Sequence, residues 1–130
     1  MSAADPRLRE GIRLFNRGRY FECHEIWEAL YLETEEKHKP FLEALVQLAA
    51  AFRVFRDFGE TRGPVRMVYQ ALIRFENYQP SYLGIRVREL SEAIEAWAKT
   101  TEAGKCAPAM PKIRRERALP PGLFMPSRNT

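Results

Sequence analysis

Residues 40–59, PFLEALVQLAAAFRVFRDFG, decide the fold of this chain. Apolar residues recur through the stretch at the spacing of one helical face: Phe41, Leu45, Leu48, Phe52 and Phe55. Pro40 stands where a helix begins, because a proline in the first turn removes an amide donor that has no partner within the helix. Gly59 follows the last apolar residues, as a left-handed C-terminal cap does. The stretch therefore predicts a long α-helix over residues 40–58 with one buried face.

The same signals predict four further helices. Asp5 with Pro6 and Gly63 with Pro64 mark helix starts, and Gly18 marks a helix end. The predicted helices span residues 6–16, 20–35, 64–78 and 86–101. The predicted inward residues are Leu8, Ile12 and Phe15; Cys23, Ile26, Trp27, Leu30 and Thr34; Val65, Val68, Leu72 and Phe75; Val87, Leu90, Ile94 and Trp97. Short connections make neighbouring helices antiparallel, so the predicted fold class is all-α, an up-and-down bundle of about five helices.

Composition limits the class of protein. A chain of 130 residues fits one domain, and 45% hydrophobic with 29% charged residues is a globular composition. No apolar run approaches the roughly 18 residues of a membrane span, so we expect a soluble chain without a membrane partner. The N-terminal MSAADPRLREG lacks the pattern of a secretory signal, and Cys23 and Cys106 do not form a disulfide framework. The expected location is the cytoplasm.

The last part of the chain differs from the rest. Residues 104–130 hold five of the nine prolines and six Lys or Arg against one Glu, whereas residues 1–103 have a net charge of −1. We therefore predict a helical bundle domain over 1–103 and an extended, Pro-rich basic tail over 104–130. A basic tail on a neutral domain indicates a flexible arm that contacts nucleic acid or an acidic partner. The residues predicted to make that contact are Lys112, Arg114, Arg115 and Arg117.

Two other roles of the tail stay open at this point. Short basic tails commonly only increase solubility. Alternatively, Ile113, Leu119 and residues 123–125 pack on the bundle or on a second copy of the chain, because prolines suit an extended segment that lies in a groove. A homo-oligomer is compatible with this arrangement.

HEIWE, residues 24–28, carries the strongest chemical signal. His24 and Glu28 are four residues apart, so on a helix they point the same way and could share one metal ion. Glu25 points to the side, where a general base or a carboxylate that orients the histidine would stand. Tyr20 and Tyr31 flank the same strip, which gives a polar edge bordered by aromatic rings.

Two ligands do not complete a metal site, because catalytic zinc has three protein ligands and a water. The other histidine, His38, lies in the loop after this helix, too far along the axis to join His24. An antiparallel third helix brings residues 47–54 level with His24 and Glu28, and Gln47 offers an amide there. The alternative interpretation is structural: His24 is a boundary residue hydrogen-bonded to a neighbour, and Glu28 is a polar clamp between helices.

The stretches FNRGRYFECHEIWEALY, residues 15–31, and FLEALVQLAAAF, residues 41–52, resemble a prokaryotic family of small helical proteins. That family is known as a domain of unknown function, number three hundred and nine. The matched hallmark residues are Phe15, Asn16, Gly18, Tyr20, Phe21, His24, Glu25 and Glu28, followed by Leu45, Val46, Gln47 and Ala49. The resemblance covers residues 8–100 and leaves the tail outside.

The resemblance implies an all-helical fold and a metal-dependent hydrolase, with His24, Glu25, Glu28 and Gln47 as candidate site residues. The chain departs from the family where Val54 replaces a common histidine and where Phe58 and Gly59 replace a Gly-Asn pair. Valine cannot bind a metal, so the family resemblance leaves the site short of one ligand.

Two functions follow as hypotheses. The first is an enzyme, a hydrolase that the loss at position 54 makes degenerate, in which His24 and Glu28 hold a divalent metal ion and Glu25 activates its water. The second is a non-enzymatic binding or scaffold module that contacts nucleic acid or an acidic partner through its tail. The polar pocket around His24 is compatible with a small-molecule ligand in either case.

Overall fold

Local signals in the sequence set the helix ends. Asp5 accepts a hydrogen bond from the backbone N–H of Arg7 at 2.9 Å and caps the first helix. Gly59 has a φ of 69° and donates its N–H to the carbonyl of Phe55 at 3.1 Å, which ends the third helix. A positive φ favours glycine, so the glycine at position 59 allows this helix end to be predicted from the sequence.

The computed structural model describes residues 1–107 and 109–117. Within these ranges it contains five α-helices and no β-strand. The helices are α1 (Pro6–Asn16), α2 (Tyr20–Glu33), α3 (Lys39–Phe58), α4 (Arg62–Phe75) and α5 (Val87–Glu102). Short 3₁₀ turns, Glu36–His38 and Glu76–Tyr78, follow α2 and α4. The predicted all-α fold with five helices is confirmed.

Two helices end earlier than predicted. Thr34 has an extended backbone with ψ at 165°, so α2 stops at Glu33 and not at residue 35. The fourth helix stops at Phe75, and the chain continues to Tyr78 as the tighter 3₁₀ turn. Both ends lack a glycine, so no residue in the sequence marks them.

Each helix packs extensively on the next one along the chain. The predicted inward residues are buried, except that Ile26, Thr34, Phe55 and Leu72 are partly exposed. Aromatic rings fill the centre: Phe52 contacts Phe15, Tyr20 and Trp97. Among the described helices, none has both the length and the apolar composition that a membrane crossing requires.

The contact between α1 and α2 is close. Trp27 donates a hydrogen bond from Nε1 to the carbonyl of Leu8 at 3.3 Å, and its indole lies directly against Gly11. A Cβ atom at Gly11 would overlap the indole ring, so only glycine permits this approach. The contact fixes the position of α2, the helix that carries HEIWE.

After α5 the chain returns to the bundle. Asn16, the last residue of α1, donates to the carbonyl of Ile113 at 2.8 Å and accepts from its N–H at 2.7 Å. Ile113 is 2% exposed. Beyond it, Arg86 N–H donates to the Arg114 carbonyl at 2.9 Å and Glu116 N–H donates to the Gly84 carbonyl at 2.7 Å. Residues 111–117, the return segment, thus join α1 to the start of α5.

The return segment corrects the prediction of a flexible arm for this part of the tail. Its backbone hydrogen bonds are satisfied by Asn16, Gly84 and Arg86, and Ile113 is buried in the bundle. The predicted packing of Ile113 is therefore confirmed, whereas Leu119 and residues 123–125 lie outside the described residues. The domain boundary at residue 103 stays a prediction.

Candidate metal centre

His24 lies between two carboxylates of its own helix. Its Nε2 is 3.4 Å from Glu28 Oε2, one turn further along α2, and its Nδ1 is 3.6 Å from Glu25 Oε2. One ligand atom from each of the three residues can be chosen so that all lie within 4.8 Å of one another. These distances are longer than hydrogen bonds, so the three side chains form a cluster of charged and polar groups without a direct hydrogen bond.

The cluster borders a shallow groove between α2 and α3. The groove has a volume of about 270 Å³ and is lined by His24, Glu28 and Tyr31 from α2 and by Glu43 and Val46 from α3. The His24 side chain is 29% exposed, while those of Glu25 and Glu28 are 61% and 53% exposed. The imidazole is thus partly covered and the two carboxylates are accessible to solvent.

Glu43 is a groove residue that the sequence reasoning missed. Its carboxylate lies across from α2 and is 3.3 Å from Nη2 of Arg74 on α4. The signal was present in the sequence: pairing residues about the turn at Lys37 sets Tyr31 level with Glu43 and Glu28 level with Val46. The predicted range, residues 47–54, began one residue after Val46 and so left out Glu43.

Gln47 does not line the groove. Its Nε2 donates to Oε1 of Gln70 at 2.5 Å, and its Oε1 accepts from Nη1 of Arg74 at 2.8 Å. Both partners are on α4, so the face of α3 that carries Gln47 packs toward α4 and not toward α2. The same reasoning misplaced Val54, which is absent from the groove lining.

The two tyrosines predicted to flank the site have different positions. Tyr31 lines the groove, and Nζ of Lys39 lies 4.8 Å from the centre of its ring. Tyr20 is 3% exposed and packs against Phe15 and Phe52 in the core. Burial raises the pKa of the Tyr20 hydroxyl above its ordinary value. Tyr20 is therefore a core residue and does not line the groove beside His24.

His38 is separate from the cluster. It is 6% exposed in the turn after α2, and its Nδ1 is 2.5 Å from the hydroxyl of Tyr82. Burial lowers the pKa of the His38 imidazole, and the nearby N-terminal amine and Lys37 lower it further. Cys23 and Cys106 are both free thiols, and burial raises the pKa of Cys23.

The four basic residues predicted to bind nucleic acid lie on the return segment, away from His24. Lys112 Nζ donates to the Asn16 carbonyl at 3.0 Å, and Arg114 Nε is 3.2 Å from Glu89 Oε1. Arg115 and Arg117 are exposed. Lys112 and Arg114 are therefore engaged within the bundle, which leaves fewer cations than predicted for a partner.

The residues around His24 fit a divalent metal ion. Two ligand atoms bound to one tetrahedral ion at about 2.0–2.1 Å are separated by roughly 3.4 Å. The Nε2 of His24 and Oε2 of Glu28 are 3.4 Å apart. Imidazole with carboxylate is a donor set that suits zinc and its first-row neighbours. Glu25 stands at the other ring nitrogen, where an orienting carboxylate belongs.

The first half of the chain matches a known protein family. A family model described as "Domain of unknown function (DUF309)" matches residues 8–67, which span α1, α2, α3 and the start of α4. The matched range includes His24, Glu28 and Glu43 and is shorter than the predicted range of 8–100. A search of curated proteins found no match to the chain.

Proposed function

Since the chain belongs to the DUF309 family, whose description assigns no activity, we propose from its own site that it is a metal-dependent hydrolase whose ion is bound by His24 and Glu28. The observation that carries this proposal is the position of the imidazole between two carboxylates. A metal-binding histidine keeps a free lone pair at one nitrogen and has a carboxylate, a backbone carbonyl or a water at the other, and Glu25 stands in that second position here.

The two ring nitrogens have different roles. For the ion to bind at Nε2, the ring proton must lie on Nδ1, the nitrogen that faces Glu25 at 3.6 Å, so that the Nε2 lone pair is free on the side of Glu28. Both carboxylates are more than half exposed, so small side-chain rotations bring Glu28 within bonding range of the ion and Glu25 within hydrogen-bonding range of Nδ1. We therefore infer that Glu25 orients the histidine, which is one of the two roles predicted from the sequence, and does not act as the general base.

Glu43 is the candidate for the missing donor from a second helix, because its carboxylate lines the groove opposite α2. To reach the ion it must leave Arg74, and it would then fill the role that the family resemblance gave to position 54. A third donor leaves the remaining positions to water, as hydrolytic sites require. When bound, the ion acts as a Lewis acid and lowers the pKa of its water. Tyr31 borders the same groove and offers a hydroxyl to a polar group of the substrate.

Metal binding is tested on protein purified without a histidine tag and treated with a chelator. Calorimetric titration with Mn²⁺, Co²⁺ and Zn²⁺ should show about one equivalent bound for at least one ion. His24→Ala should abolish binding. Glu22→Gln is the matched control, because it removes a carboxylate of α2 that pairs with Arg19. Absence of binding by every ion, or retention in His24→Ala, would contradict the proposal.

Hydrolysis is tested separately with chromogenic phosphodiesters and carboxylic esters. The loaded protein should turn over at least one substrate class, and chelation should stop it. Glu25→Gln then distinguishes the two roles of Glu25: an orienting residue lowers metal affinity by roughly 10- to 100-fold when removed. A general base would leave affinity unchanged and lower kcat alone.

A further inference from the structure

A second groove runs along α1, between this helix and the return segment. It has a volume of about 550 Å³, and arginines line it from both sides: Arg9 and Arg13 from α1, Arg115 from the return segment. Arg9 and Arg13 are four residues apart, so they project from one face of the helix. The groove shares no lining residue with the groove beside His24.

The groove lining has more positive than negative side chains: three arginines and one glutamate. Glu10 is the acidic residue of the lining, and it accepts from Arg13 Nε at 2.8 Å. Within residues 1–107 and 109–117, no carboxylate pairs with Arg9 or Arg115. Residues 118–130 contain no Asp or Glu that could do so. Like charges four residues apart destabilise a helix, so Arg9 and Arg13 together lower the stability of α1. Folding alone does not explain their placement.

The positive field extends beyond the lining residues. The hydrogen bond from Arg13 lowers the pKa of Glu10, and the charges of Arg17 and Arg19 lower it further. These residues continue from the groove toward the start of α2. A surface of this kind concentrates anions from solution.

The chemistry of the lining specifies the kind of anion. Arginine binds phosphate with two parallel hydrogen bonds, which fixes orientation as well as charge. The lining, as far as the structure describes it, has no aromatic side chain on which a base could stack. Contacts to phosphate without contacts to bases give binding that does not depend on sequence.

We propose that the groove between α1 and the return segment binds consecutive phosphates of a nucleic-acid strand through Arg9, Arg13 and Arg115. The binding surface is composite: one side is a helix near the start of the chain, and the other is a segment more than ninety residues later. It is open and elongated along α1, which suits a strand better than a single small phosphate. Asn16 holds the two sides together through its bonds to Ile113.

The test is fluorescence anisotropy of a labelled oligothymidylate with the full chain at low salt. Removal of two phosphate contacts in Arg9→Gln/Arg115→Gln should weaken binding by roughly tenfold and reduce the salt slope by about 1.4. The matched control is Arg62→Gln/Arg66→Gln on α4, which removes the same charge from residues that do not line this groove. The control should bind within about twofold of wild type. Equal weakening in both variants would overturn the proposal.

A second variant leaves the net charge unchanged. Asn16→Ala removes the two hydrogen bonds that hold Ile113 and should weaken binding several-fold, because Arg115 is then no longer fixed beside α1. Unchanged binding, with a melting temperature that shows a folded bundle, would overturn the composite groove and leave only a charged tail. Truncation after residue 117 separates the same alternatives, since the groove retains affinity and a tail-only site loses it.

Competition distinguishes a strand from a small phosphorylated compound. Inorganic phosphate, pyrophosphate and a nucleoside triphosphate are added to the preformed complex, each at the same phosphate concentration as an unlabelled strand. The strand should displace the probe at lower phosphate concentration than any of the three. Displacement by a small compound at lower concentration would overturn the assignment to nucleic acid.

Discussion

The two grooves of this bundle have opposite chemistry. The groove between α2 and α3 carries His24 with the carboxylates of Glu28 and Glu43, whereas the groove along α1 carries three arginines and one glutamate. The first is formed by consecutive helices and the second needs a segment distant in sequence. Nearly equal numbers of acidic and basic residues in the helical part thus conceal two surfaces that attract ligands of opposite charge. Changes that affect one groove should leave the other unchanged.

The largest effect is expected from Ile113→Ala, because only the groove along α1 depends on the return segment. Ile113 is 2% exposed, and Ile113→Ala should lower the free energy of unfolding by about 2–4 kcal/mol, because it leaves a cavity. Denaturant titration measures the loss. The variant should also lose nucleic-acid affinity while its metal affinity is retained. A parallel loss of metal binding in the folded variant would mean that the grooves are not independent.

The second largest effect on stability is expected from metal binding. An ion present at 100 times its dissociation constant adds about 2.7 kcal/mol to the free energy of unfolding. Thermal melts of the chelated and loaded protein should show the shift in wild type and in Arg9→Gln/Arg115→Gln. His24→Ala should show none. A shift that persists in His24→Ala would place the ion elsewhere.

Arg74 tests whether Glu43 belongs to the metal groove. Its guanidinium is 3.3 Å from Glu43 Oε1 and 2.8 Å from the amide oxygen of Gln47. Arg74→Gln releases the Glu43 carboxylate from a partly exposed ion pair worth roughly 0.2–1 kcal/mol, so metal affinity should rise by about 1.4- to 5-fold. Unchanged affinity would remove Glu43 from the set of ligands. Arg53→Gln, which breaks the pair with Asp57, is the control.

His38 provides the smallest effect and a contrast with His24. Burial lowers the pKa of His38 in the folded state, so the unfolded chain binds more protons between the two pKa values. The stability contributed by neutral His38 is present above about pH 6.5 and falls as the pH decreases toward the lowered folded value. His38→Gln should show a smaller loss of stability between neutral and mildly acidic pH. A loss identical to that of wild type would show that groups other than His38 cause the fall in stability at acidic pH.

The fold was predictable because its signals are local. Pro40 and Gly59 border α3, and the apolar spacing between them identifies one buried face. The ends of α2 and α4 were misplaced because the chain leaves the helix there without glycine. The return segment could be predicted only as an alternative, since its order depends on Asn16, a residue nearly one hundred positions earlier.

The site was predictable only within one helix. His24, Glu25 and Glu28 come together because their spacing on α2 brings them together. Gln47 and Tyr20 lie outside the groove beside His24, since their positions depend on how α3 is rotated and on which aromatic ring enters the core. Glu43 was missed for the same reason. Pairwise helix packing sets these features, and periodicity within a single helix does not report it.

The central claim, that His24 binds a metal ion through Nε2, is tested most directly by NMR of the imidazole nitrogens during titration with Zn²⁺. The chain has two histidines, so His38→Gln assigns the signals without ambiguity. The account predicts a large shift of the His24 Nε2 resonance at stoichiometric ion, with Nδ1 still protonated toward Glu25. Unchanged His24 resonances at saturating Zn²⁺, or binding through Nδ1, would contradict it.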